Sequence, residues 1–136
     1  MSAQDNIQTV KDIYAAFNRD DRNAMIAALA ENVEFENRAG AGEIPWAGVH
    51  HGHSGFMALL GRLEEHLQFD VFEQLDFLAS ENQVAVVNRM EYSLKKNGQK
   101  VSFPKYIQVW TFDAAGKVER EFNSYDPTEL LAAWRR

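Results

Sequence analysis

The chain contains no cysteine, which excludes disulfides and thiolate metal sites. It has no phosphate-binding loop, no dinucleotide fingerprint and no metal-ligand signature, so no cofactor and no metal is implied. No apolar run approaches the ~18 residues of a membrane span. The N-terminus, Met1 to Asp5, is polar and lacks a secretory apolar core. The expectation is a soluble, cytoplasmic protein that does not associate with membranes. Basic residues are outnumbered 14 to 20 and the net charge is −6, which lacks the basic footprint of a nucleic-acid binder. A length of 136 residues, with no repeat, linker or low-complexity segment, suits one domain spanning residues 1–136. Aromatics are plentiful: nine Phe, four Tyr and three Trp suffice to line a pocket as well as fill a core.

The pattern reads as helices followed by long strands. Ile7, Val10, Ile13, Tyr14 and Phe17 form a helical stripe over Asp5 to Asn18, with Asp5 and Gln8 resembling a capping box. A second helix carries Met25, Ile26 and Leu29. Val33 to Glu36 alternates as a short strand. Ala39 to His53 holds four Gly and a Pro and reads as loop. Ser54 then caps a third helix with Phe56, Leu59, Leu60, Leu63 and Leu67 on one face. Strand-like runs follow at Phe69–Ala79, Gln83–Leu94, Lys100–Phe112 and Lys117–Tyr125, with turns at Asn97-Gly98 and Asp113–Gly116. Asp126-Pro127-Thr128-Glu129 opens a last helix, Asp126 as its cap. Helices in front and adjacent antiparallel strands behind imply an α+β layer fold, one curved sheet wrapped around the helices.

The hairpin turn sets a register. With Lys96 opposite Gln99, Arg89 faces Tyr106 and Val87 faces Gln108. Side-chain alternation then gathers Arg89, Glu91, Tyr106, Gln108 and Trp110 on one face, and the second turn adds Glu121, Asn123 and Tyr125. Val84, Val86, Met90, Leu94, Ile107 and Val109 fall on the other. Aromatic walls with a few convergent polar groups are what small-molecule sites look like. The mixed row is therefore the expected lining of a cavity for a small apolar molecule with a polar handle. The apolar row is the expected outer face, through which a homodimer would form.

Several segments together resemble the nuclear transport factor 2-like superfamily, a cystatin-like cone, and within it the SnoaL-like and ketosteroid isomerase-like proteins. They are Val10–Asn18, Asn32–Glu36, Pro45-Trp46-Ala47-Gly48 before Gly52–Gly55, Phe112–Val118 and Tyr125-Asp126-Pro127. The resemblance implies a cone whose sheet, mixed or antiparallel, encloses a pocket. It also implies proton abstraction alpha to a carbonyl of an apolar cyclic substrate, by an isomerase or a polyketide cyclase. On it, Tyr14 matches the first oxyanion donor of ketosteroid isomerase, Glu36 the carboxylate base, and Gln108 the second donor. Glu34, two residues before Glu36, points the same way. Gln108 departs from the neutral carboxylic acid used there, but an amide donates without a pKa shift.

Two alternatives stand beside this. Arg89-Met90-Glu91 is similar to the Arg-x-Asp of limonene-type epoxide hydrolases, whose second carboxylate falls near Asn123, an amide, with Glu121 the nearest acid. A ligand-binding dimeric module without catalysis is the other. His50, His51 and His53 match no common metal spacing, and a histidine at the cavity mouth is a candidate acid or base. Trp46 is a candidate pocket wall or lid.

Overall fold

The first helix starts earlier than the apolar stripe indicates, because Ser2 rather than Asp5 is its cap. In the computed structural model, Asp5 N donates to Ser2 Oγ at 3.0 Å and Ser2 N donates to Asp5 Oδ2 at 3.1 Å, a reciprocal capping box. The structure describes residues 2–136; Met1, the first residue of the expected domain, lies outside them. Helices α1 (Ala3–Asn18) and α2 (Arg22–Ala27) are followed by strands β1 (Leu29–Asn37) and β2 (Gly48–His51). Then come α3 (Gly52–His66), β3 (Leu67–Ala79), β4 (Gln83–Leu94), β5 (Lys100–Phe112), β6 (Val118–Ser124) and α4 (Thr128–Trp134). β2 occupies the end of the segment expected as loop. Gly52, at φ +70°, makes the turn from β2 into α3 that a Cβ would strain.

The strands form one open sheet in the order β2-β1-β6-β5-β4-β3. All neighbours are antiparallel except β1 and β6, which run parallel. α1 packs on β3 and β4, α3 on β1, β2 and β3, and α4 on β5. This is the α+β cone, with a mixed sheet around the helices. One buried cluster joins Val10, Tyr14, Met25, Phe35 and Trp110; the other joins Trp46, Tyr92, Phe103, Tyr106 and Leu130. A cavity of about 110 Å³ lies between them.

The pairing of β4 with β5 corrects the expected faces. Near the turn Met90 pairs with Phe103 and Tyr92 with Val101, but farther on Asn88 pairs with Tyr106, Val86 with Gln108 and Val84 with Trp110. Between Asn88 and Met90 lies one residue on β4, whereas two, Pro104 and Lys105, lie opposite on β5. That extra residue is a bulge, placed where proline has no N–H to give the ladder. It switches the parity of β5 and leaves that of β4 intact. Val84, Val86, Met90 and Leu94 therefore face inward with Gln108 and Trp110. Arg89 and Glu91 stand on the outer face, paired at 2.8 Å with side chains 44% and 38% exposed. The outer face is thus mixed, with Ile107 and Val109 beside charged residues, and the β4 members of the apolar row expected there are core. β5 and β6 pair two residues from the expected register, Gln108 opposite Asn123 and Trp110 opposite Glu121. A shift of two preserves the face.

The bulge interrupts the ladder, and a side chain repairs it. Asn88 is fully buried, and its Nδ2 donates to the Tyr106 carbonyl and to Gln108 Oε1, each at 3.1 Å. Its Oδ1 accepts from Gln74 Nε2 at 3.1 Å. Asn88→Ala strands these partners and is expected to cost about 1–3 kcal/mol, the penalty of unpaired buried polar groups. Urea unfolding midpoints check this, and an unchanged midpoint would contradict the assigned role.

Candidate active site

The cavity wall is apolar and aromatic on its helical side, where Phe17 and Tyr14 of α1 and Phe56 of α3 meet Phe69 and Phe72 of β3. Its polar groups come from β5 and β6, with Asn37 of β1 and His50 of β2 beside them. Tyr14 reaches across from α1: its hydroxyl donates to Gln108 Oε1 at 2.6 Å and accepts from Trp110 Nε1 at 3.2 Å. The Gln108 amide then donates from Nε2 to Glu121 Oε2 at 3.1 Å and to Asn123 Oδ1 at 3.2 Å. Asn123 Nδ2 donates to Glu121 Oε1 at 2.8 Å. Tyr14, Gln108, Glu121 and Asn123 thus form one continuous chain of hydrogen bonds along the cavity floor. Burial holds the Tyr14 phenol protonated by raising its pKa.

Glu121 is the unusual member. It is only 2% exposed, and among the described residues no cation pairs with it: Arg120 turns to Glu34 at 3.7 Å and Arg38 to Glu36 at 2.8 Å. Burial pushes its pKa up to about 8, against the opposing pull of the Asn123 and Gln108 hydrogen bonds. Desolvation wins because two neutral amides do not replace the lost hydration of a carboxylate. Both amides present N–H groups to its two oxygens, and the carboxyl lines the cavity.

The SnoaL-like domain family model matches residues 10–121. The chain belongs to this family. It is similar to an NTF2-like protein from Burkholderia xenovorans, 31% identical over 98% of each chain with a TM-score of 0.87. It is likewise similar to an NTF2-like protein from Burkholderia pseudomallei, 26% identical over the full length of both, also at 0.87. TerC, co-crystallised with polyporic acid, is 20% identical over 97% of this chain and 99% of its own, at 0.84, a likeness of fold alone. Among curated proteins none matches the chain.

In this SnoaL-like domain, Tyr14 and Gln108 come together as expected, but Gln108 spends its N–H groups on Glu121 and Asn123 and has none left for an oxyanion. Glu36 borders the cavity through its main chain, its carbonyl accepting from Asn123 Nδ2 at 3.0 Å. Its side chain, 29% exposed, alternates away from the buried Val33, Phe35 and Asn37 and pairs with Arg38. The inward position at that end of β1 belongs to Asn37, an amide without basicity, which residue patterning overlooked although it continues the Val33–Phe35 row. Tyr106, Trp110, Glu121, Asn123 and Tyr125 all line the cavity, as do Trp46 and His50. Trp46 is a buried wall, its ring 5.7 Å from that of Trp134. His50 Nε2 lies 3.1 Å from the Trp46 carbonyl, and His53 Nε2 lies 3.1 Å from the Leu29 carbonyl. Arg89 and Glu91 are outside, so the bridging arginine of an epoxide hydrolase is not assembled at Glu121. Among the described residues no cluster of three or more His, Asp or Glu is placed to hold a metal ion, and no helix is long and apolar enough to cross a membrane.

Proposed function

We propose that this domain is an acid–base enzyme acting on a small apolar cyclic ketone, with Glu121 as the residue that carries the proton. The observation behind this reading is a buried carboxyl without a cationic partner, opening on an aromatic cavity. Its pKa of about 8 keeps both protonation states accessible near neutral pH, as efficient proton transfer requires. In its ionised form Glu121 takes the proton from the carbon alpha to the carbonyl, and the electron pair of that C–H bond moves into the enolate. Tyr14 turns its hydroxyl from Gln108 to the enolate oxygen, and Gln108 Oε1 keeps a partner because Asn88 Nδ2 also donates to it. Neutral Glu121 then returns the proton to carbon, at the same or a conjugated position, or the enolate carbon closes on an electrophile within the substrate. The donor and the acid–base group are thereby aimed at the two places where charge changes.

Exchange of the alpha protons of 2-decalone for deuterium, followed by NMR, tests the assignment. The wild type and Glu36→Gln are expected to exchange at rates within about twofold of each other, since the Glu36 carboxylate is paired with Arg38. The rate is expected to rise about tenfold per pH unit at low pH and to level off above about pH 8, as the base form of Glu121 fills. A loss of exchange in Glu36→Gln, or a plateau reached below pH 6, would assign the chemistry elsewhere.

A further inference from the structure

At the far end of the cavity from Trp110 is a second polar group that the proton transfer does not use. Tyr106 is buried and its hydroxyl accepts one long bond, 3.5 Å, from Asn37 Nδ2. Asn37 Oδ1 is already taken by the Tyr125 hydroxyl at 2.8 Å. Among the described residues the Tyr106 hydroxyl proton therefore has no acceptor. The ring is held rigidly: it stacks on Tyr125 at 4.6 Å with an interplanar angle of 13°, and meets Phe103 edge-on at 5.4 Å. Burial raises the Tyr106 pKa well above its ordinary value, so the phenol stays a donor throughout the working pH range. On β5 it stands two residues from Gln108 on the same face, about 7 Å away at strand spacing.

We infer that Tyr106 donates to a second oxygen of the substrate, so that the cavity selects ring ketones with a hydroxyl or carbonyl on the side remote from the reacting carbonyl. This rests on the ketone reading above and adds a specificity-determining residue to it. A buried donor without an acceptor is costly. A ligand oxygen at that place recovers the bond, whereas a purely hydrocarbon ring leaves it unmade. Nearby Tyr125 cannot substitute, since its own proton is committed to Asn37.

The test uses three probes, 2-decalone, 6-hydroxy-2-decalone and decalin-2,6-dione, with affinity measured by calorimetry on the wild type and on Tyr106→Phe. The wild type is expected to bind both dioxygenated probes about fivefold to tenfold more tightly than 2-decalone, the worth of one hydrogen bond. Tyr106→Phe is expected to bring all three within about twofold. The dione can only accept, so its gain on the wild type identifies the protein as donor and stands even if Tyr106→Phe fails to fold. Equal binding of the three probes by the wild type overturns the role of Tyr106 while leaving the ketone site intact. A gain shown by the hydroxyketone but not by the dione overturns it too, as does a preference that survives Tyr106→Phe. Binding of none of the three removes both readings.

Discussion

Glu121→Gln is expected to lower turnover by about 10²–10⁴-fold, the usual share of a general acid–base group, while ketone affinity changes little. The same substitution is expected to flatten the dependence of stability on pH. In the native protein the carboxyl keeps its proton up to about pH 8, whereas in the unfolded chain it loses it near 4.5. Between those values unfolding releases a proton, so wild-type stability falls as pH rises from 4.5 to 8 and is level above. The cost accumulated by pH 8 is on the order of 4 kcal/mol. A glutamine carries no charge at either pH and escapes it. The variant should therefore gain on the wild type with rising pH, and the two curves should approach each other toward pH 4.5. Chemical denaturation at a series of pH values reads this directly. Parallel curves for the two proteins would mean that Glu121 is ionised and solvated in the native state.

Trp110→Ala should produce the largest loss of stability of any single change at the site, about 3–5 kcal/mol by analogy with buried aromatic truncations. Trp110 is almost wholly buried, edge-on to Tyr14 at 5.8 Å and to Phe35 at 6.0 Å. It links α1, β1 and β5 around one ring. Its Nε1 also fixes the Tyr14 hydroxyl, so truncation frees the donor that the chemistry uses. For a chain of this length a melting temperature lower by roughly 10–20 °C is expected. Trp110→Phe keeps most of the packing but removes the N–H and part of the indole, so its cost should be smaller, about 1–2 kcal/mol. If alanine and phenylalanine variants melt together, the ring is not the keystone that its contacts indicate.

Which parts of this were legible from residues alone follows from the physics of strand alternation. The extents of β4 and β5 are plain from turn chemistry at Asn97-Gly98 and Asp113–Gly116, and the inward row Tyr106, Gln108, Trp110 with Glu121 and Asn123 follows from period two. The period does not survive a bulge. Pro104 in the middle of a central strand is the signal for one, and without it Arg89 and Glu91 are misplaced into the cavity and Val84 and Val86 onto the surface. A second irregularity, between Thr111 and Phe112 opposite Val118 and Arg120, lets β6 carry both Val118 and Glu121 inward. The side chain of Glu36 alternates away from the buried row for a related reason: along β1 the inward place falls on Asn37. Whether an inward glutamate meets a cation is a question of three-dimensional neighbours, and no spacing rule shows that Arg120 turns to Glu34 instead.

Whether one buried carboxyl holds a proton near neutral pH is open to direct observation. Carbon-13 NMR of the carboxyl of Glu121, assigned by its disappearance in Glu121→Gln and followed from pH 4 to pH 10, should show a single titration with a midpoint of about 8. A midpoint below 5 would place an ordinary ionised carboxylate on the cavity floor and would contradict the account.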